Sequence, residues 1–234
     1  MIEAISRMLA GLRHVAVGAA SPIPGSAALL ARARSGGRLR VSILGSRDES
    51  PFTDGGRELF DCAAQGRIDA FFLSGGQIDG AGNINLVAIG DYESPKARFP
   101  GSFGSAYLYM LVPRVILFRE DHNPRAMVKK VDFVSAAGTS EPNVYRPGGP
   151  HALVTGLCVF DFDKAKGRFR LASLHPGVSP QEVRAATGFE YDQPAEAPET
   201  APPDAASLAV LRGEVGRAVA KTYPDFARKT WGLS

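Results

Sequence analysis

Within the first 135 residues, short apolar runs alternate with stretches of helical periodicity, and this alternation constrains the fold more than any other feature. Residues 14–20 (HVAVGAA), 39–44 (LRVSIL) and 69–73 (DAFFL) are apolar with little polar alternation. Helical stretches separate them. Ile2, Ile5, Leu9 and Leu12 recur near helical spacing over 2–12, SAALLARAR opens with Ser26 as its cap, and 54–66 forms a third helix. Strands that are apolar on both sides and joined through helices specify a largely parallel sheet covered on both faces. Runs at 86–90 (LVAIG), 114–120 (RVILFRE) and 130–135 (KVDFVS) continue the series of strands.

The second half reads differently. ALVTGLCVFDFD and RFRLASL flank the turn KAKG, the pattern of an antiparallel hairpin. Ser179-Pro180 is a cap followed by the proline of a helical first turn. EAPETAPPDAA (196–206) is a Pro-rich linker, and 205–222 is an amphipathic helix. The expected architecture is one α/β domain over 1–192, with 193–234 as linker and C-terminal helical extension.

Bulk properties exclude several classes. A net charge of +3 with scattered basic residues gives no footprint for nucleic acid or a membrane surface. No stretch of about 20 apolar residues is present to span a bilayer. Cys62 and Cys158 fit no metal or redox spacing, and no metal is expected. Two isolated cysteines and the absence of a signal-peptide pattern point to the cytoplasm.

Two glycine-rich segments carry the functional signal. The first is SGGQIDGAGNINLVAIGDY (74–92), which follows the run at 69–73. In open α/β sheets ligands sit beyond the carboxyl ends of strands, which makes Gly75, Gly76, Asn83 and Asn85 candidate substrate-binding residues. The same composition also serves a purely structural loop, its asparagines fixing backbone. No G-x-G-x-x-G opens a helix here. The second segment is RFPGSFGSAYLYM (98–110), where Gly101, Ser102, Phe103 and Gly104 precede an apolar stretch of helical character. Backbone N–H groups there are placed either to receive an anion or oxyanion, or simply to start a helix.

The order GGQIDGAGNIN, IGDY, SPKARFPGS and KKVDFVSAAG resembles the β subunits of family I CoA-transferases, that of glutaconate CoA-transferase in particular. Those proteins carry GGAQID-x-x-GN-x-N, IGDY and PK-x-RF-x-GSGGAN in the same order. The resemblance runs from about Ser74 to Gly138, and more weakly through 173–190. It implies an α/β fold shared with sugar-phosphate isomerases, a CoA-transferase α subunit as partner in an α2β2-like hetero-oligomer, and a coenzyme A thioester as substrate with no separate cofactor.

Two departures from the pattern bear on mechanism. The family's nucleophilic glutamate ends an early strand, followed by D-x-SP. Here the stretch is VSILGSRDESP, and aligning Gly45, Asp48 and Ser50-Pro51 puts Ile43 in the glutamate's place. Isoleucine cannot form an acyl anhydride or a glutamyl thioester. A looser match takes Glu49-Ser50 as the motif, leaving Glu49 as the one candidate catalytic residue of this chain, the alternative being a nucleophile supplied by the partner. In the second departure, Phe103 stands where the family has glycine, narrowing the site or giving it an apolar wall. The β subunits of ring-opening hydrolases of steroid catabolism are also similar, through NVYR (143–146), VFDFD (159–163) and SLHPGVSP (173–180). In those enzymes a glutamate of the α subunit acts. Tyr145, Arg146 and His175 are then either site residues or packing of the hairpin. A non-catalytic subunit that stabilises its α partner is the reading from a different class.

Overall fold

The apolar runs become short strands, and hydrogen bonds decide where each one stops. In the computed structural model, which describes residues 1–233, the chain divides into two compact units. One comprises residues 1–72 with the stretch from Ala201 onward, the other residues 73–200.

The first unit opens with α1 (Ile2–Met8), β1 (His14–Val17), α2 (Pro22–Arg34), β2 (Arg40–Ile43), α3 (Gly55–Ala64) and β3 (Ala70–Leu73). β1 pairs in parallel with β2, His14 opposite Arg40 through Val17 opposite Ile43, and in parallel with β3 on its other side. α2 packs on β1, β2 and α1. It begins earlier than the sequence pattern places it. Ser21 precedes it and Pro22 occupies its first turn, so Ser26 lies inside the helix and its hydroxyl donates to Pro22 O at 2.7 Å.

The second unit continues with two small hairpins, β4 (Gln77–Ile78) with β5 (Ile84–Asn85) and β6 (Ala88–Gly90) with β7 (Pro95–Arg98). Then come α4 (Ser105–Leu111), β8 (Arg114–Arg119), β9 (Pro150–Thr155), β10 (Cys158–Asp163), β11 (Arg168–Leu174) and α5 (Pro180–Ala186). β8 and β9 are parallel; β9–β10 and β10–β11 are antiparallel. The run ALVTGLCVFDFD is therefore two strands, and the expected hairpin is a three-stranded meander. Phe160, Phe162, Phe169, Phe189 and Tyr191 form its aromatic core, with Phe160 and Tyr191 edge to face at 4.9 Å. Ser179 and Glu182 make the reciprocal capping box of α5.

KVDFVS is not a strand. Side chains of the glycine loop take its backbone donors: Asp132 N–H donates to Gln77 Oε1 at 2.9 Å and Val131 N–H to Asp79 Oδ2 at 3.4 Å. An isolated bridge, Ile84 to Ala136, is the pairing that remains there.

The boundary expected at 192/193 falls elsewhere. Residues 192–200 are laid along β11, with Leu171 N–H donating to Asp192 O at 2.8 Å and Leu174 N–H to Pro198 O at 3.0 Å. The Pro-rich stretch is thus bonded backbone up to Thr200. From Ala201 the chain belongs with residues 1–72: Arg7 donates to the carbonyls of Ala201 (2.7 Å) and Pro202 (2.8 Å). α6 (Ala205–Val210) runs through a π-helical turn (Leu211–Val215) into α7 (Gly216–Thr222), which packs on α2. A last helix, α8 (Pro224–Trp231), has no counterpart among the elements expected from sequence. Among the described residues, no helix is long and apolar enough to cross a membrane.

Candidate active site

The loop after β3 is held together by three of its own polar side chains. Asp79 is 4% exposed and accepts from Ala81 N–H and Asn83 N–H, both at 3.1 Å, through Oδ1. Its Oδ2 accepts from Asn83 Nδ2 at 3.1 Å. Asn83 Oδ1 accepts from Gly138 N–H at 3.0 Å, tying in the SAAG segment. Asn85 is fully buried; its Nδ2 donates to Gln77 Oε1 and Ala88 O, both at 2.7 Å, and its Oδ1 accepts from Val87 N–H at 2.9 Å. Both asparagines thus spend their side chains on backbone and neighbours, and neither lines the cavity beside the loop.

The paired glycines act through close approach. A Cβ on Gly75 would overlap Ile84, and one on Gly76 would overlap the ring of Phe99. Phe99 is seated against bare backbone, and together they line a cavity of about 520 Å³ where β3 and β8 end. Its other walls are Ser74, Leu86, Ile89, Pro100 and a polar group of Arg119, Asp121, Asn123 and Arg125. This lies at the carboxyl ends of strands, where α/β sheets receive ligands. Arg119 Nη1 donates to Gly75 O, and its Nε is buried with no acceptor. Asn123 Oδ1 accepts from Arg125 N–H at 3.0 Å, which fixes the turn that carries Arg125.

Of the residues expected to bind substrate, Gly75 and Gly76 line this cavity; Gly101, Ser102, Phe103 and Gly104 do not. Phe103 is 84% exposed and takes φ +43°, a left-handed conformation that suits the glycine of the family pattern better than a bulky ring. The aromatic residue lining this cavity is Phe99. Gly104 precedes α4, which has only seven residues and no side-chain cap.

In the first unit, Ile43 ends β2 and is 2% exposed. A Cβ on Gly25 would come within 3.3 Å of the Tyr223 ring and 3.6 Å of Ile43 Cδ1, so the strand end is packed with α2 and the residue that follows α7. No carboxylate stands there. Glu49 O accepts from Ile43 N–H at 2.8 Å, while both Glu49 carboxylate oxygens are held by Arg32, at 2.6 and 2.7 Å. This bidentate pair raises the Arg32 pKa. Asp48 pairs with Lys221 at 2.6 Å.

None of the remaining candidates lines this cavity. Arg146 donates to Thr139 O and Ser140 Oγ at 3.0 Å and to Ala137 O, closing the 137–146 loop, and lies over the Tyr109 ring. Tyr145 is 81% exposed. His175 Nε2 bonds Thr155 O at 2.9 Å, and burial lowers its pKa. Phe99, Arg119, Asp121 and Arg125 line the cavity without having been singled out in the sequence, where they left one visible signal. REDHNPR places charged residues directly after an apolar run, at a strand's carboxyl end.

The family model for coenzyme A transferase matches residues 3–186, most of the chain. The chain belongs to the coenzyme A transferase family. Among curated relatives, the B subunit of 3-oxoadipate CoA-transferase from Pseudomonas knackmussii is 36% identical over 162 residues, covering 66% of this chain and 62% of that protein. The B subunit of glutaconate CoA-transferase from Acidaminococcus fermentans is 35% identical over 62% of this chain and 56% of its own length. The cholesterol ring-cleaving hydrolase IpdB subunit of Rhodococcus jostii is 34% identical over 67% of this chain and 62% of its own. The match thus spans less than two thirds of these relatives' length. The fold extends further. The crystal structure of glutaconate coenzyme A-transferase from A. fermentans superposes with a TM-score of 0.79 at 25% identity, covering 91% of this chain and 92% of that one. A decarboxylase, AibA/AibB, superposes with a TM-score of 0.78 at 25% identity, covering 98% and 95%.

Proposed function

We propose that this chain is the β-type subunit of a heteromeric enzyme acting on an acyl-CoA, and that it shapes the acyl site without supplying the covalent carboxylate. The observation that carries this is the end of β2, where the family pattern calls for glutamate and the chain has a buried Ile43. Glu49, the nearest alternative, is engaged on both oxygens by Arg32. A nucleophile must be free to approach a thioester carbon to about 3–3.5 Å, which a bidentate partner opposes.

In this reading an α-type subunit contributes the acting carboxylate. If water receives the acyl group, the reaction is hydrolysis of a thioester or of a ring carbon–carbon bond; if a second acid receives it, the reaction is CoA transfer. Without a glutamate on this chain no thioester forms on it, and the hydrolytic form needs only the partner's carboxylate acting as a base on water. The likeness to a ring-cleaving hydrolase subunit makes cyclic acyl-CoA esters the first substrates to screen.

The test is co-expression with a CoA-transferase α subunit, incubation with acyl-CoA and reduction with borohydride. The expected result is no glutamyl thioester trapped on this chain and turnover that survives Glu49→Ala. A trapped adduct on Glu49 would establish a conventional glutamate-dependent transferase. An α subunit that is fully active without this chain, and gains only stability from it, would make the chain a structural subunit.

A further inference from the structure

Loop 137–149 and the turn after β10 line another cavity of the second unit, of about 230 Å³, which the acyl-CoA reading leaves unused. It lies where β8 and β9 begin, since Pro150 lines it and pairs with Val115, at the opposite end of β8 from Arg119. A Cβ on Gly167 would come within 3.6 Å of Thr139 Cγ2, so turn and loop face each other. The charged lining is unbalanced toward positive. Arg146 donates to Thr139 O, Ser140 Oγ and Ala137 O, all neutral acceptors, and its Nε is buried without one. Lys164 makes only a long contact, 3.4 Å, to Gly148 O. Among the described residues neither cation makes an ion pair. Partial burial of the ammonium, and then Arg146, lowers the Lys164 pKa, as for like charges that share a space. Glu141 also lines the cavity, but it is exposed and pairs with neither cation. Thr139 and Ser140 add hydroxyls; Ser140 Oγ already accepts from Arg146, which leaves its own hydrogen to donate.

We propose that this cavity binds a phosphate dianion, as inorganic phosphate or a small phosphomonoester, with Lys164 in contact and Arg146 as a fixed charge beside it. Two cations match a dianion better than they match the single charge of a carboxylate, and the hydroxyls suit the remaining phosphate oxygens. The volume falls below the ~300–1,000 Å³ of pockets for drug-sized ligands, so the ligand is a small one.

The test is isothermal titration of the full chain, in complex with its α-type partner, with inorganic phosphate, methyl phosphate and acetate. Both phosphates should bind about 10-fold more tightly than acetate, at the low end for hydrogen bonds to charged groups, and the tighter of the two identifies the form of the ligand. Lys164→Gln should weaken both about 10-fold, and Lys164→Arg should retain them. Glu141→Gln removes a like charge and should tighten them. Lys164 is exposed, so its variants keep the fold. Arg146 is the poorer probe, because it lies over Tyr109, whose hydroxyl donates to Gly82 O in the glycine loop. Equal binding of phosphate and acetate would overturn the proposal, as would a phosphate affinity untouched by Lys164→Gln. Loss of phosphate binding in saturating coenzyme A would also overturn it, by making the cavity a subsite for that molecule's own phosphates.

Discussion

Acidification should destabilise the protein through His122, because burial keeps its ring neutral in the folded state. His122 Nδ1 lies 2.8 Å from Thr155 Oγ1 and Nε2 lies 2.8 Å from Thr187 Oγ1. Thr187 already donates its hydroxyl to Val183 O at 2.7 Å, so it accepts from Nε2–H, and Nδ1 is left to accept from Thr155. Both contacts suit the neutral ring, and burial holds the pKa down at about 4. An unfolded chain takes up that proton near pH 6.5. Between pH 6.5 and 4 the unfolded state therefore binds more protons, and stability falls as pH falls. At pH 5 the loss through this one ring is ~2 kcal/mol relative to pH 7.5, and it levels off near ~3 kcal/mol below pH 4. Burial also lowers the pKa of His14, His151 and His175, which adds in the same direction. The assay is urea unfolding of the wild type and His122→Gln at pH 7.5, 6 and 5. The glutamine can still donate to Thr187 but cannot take a proton, so the two stability curves should converge by ~2 kcal/mol toward pH 5. Parallel curves would refute the assignment of a neutral, buried imidazole.

Other perturbations test the strand end of the first unit and, separately, the cavity of the second. Ile43→Glu places a carboxylate in a packed strand end; it should cost at least ~3 kcal/mol in thermal or urea unfolding and create no transferase activity in the complex. Glu49→Ala leaves Arg32 half-buried and unpaired; it should cost about 1 kcal/mol, since both groups retain some solvent, while the turnover of the complex stays near normal. Gly76→Val drives a side chain into Phe99 and should lower turnover by about 100-fold with circular dichroism unchanged, as a displaced wall misplaces the acyl group. Asn85→Asp replaces a donor by an oxygen facing Gln77 Oε1 and Ala88 O; it should lower stability by about 2–3 kcal/mol without a change in side-chain volume, as read by urea unfolding.

How much of this was legible in the sequence depends on the range of the interaction. The alternation of apolar runs and helices gave the three parallel strands of the first unit because strand burial writes directly into local composition. The helix start at Ser179-Pro180 was legible for the same reason, a cap being a short-range hydrogen bond. KVDFVS failed as a strand because side chains some 50 residues away, Gln77 and Asp79, claim its N–H groups, and no local pattern records that. The Pro-rich stretch looked like a free linker because proline content is local, whereas its pairing along β11 is not.

The same distinction governs the site. The loop 74–85 was recognisable as special, but its residue types did not say that the asparagines face inward and the glycines make room for Phe99, since that ring arrives from beyond a separate hairpin. The cationic side of the cavity was missed because Arg119 and Arg125 are ordinary in sequence and become notable only when an apolar wall faces the same space. Ile43 is the opposite case. A single residue that departs from a strand-end pattern is legible in the sequence itself, and the structure adds what surrounds it. Gly25 and Tyr223 pack the strand end, and Arg32 holds the one glutamate of that stretch. A carboxylate restored at position 43 would therefore enter packing shaped for an aliphatic side chain. The isoleucine is thus accommodated by its neighbours, and a working nucleophile at that position would need several of them changed together.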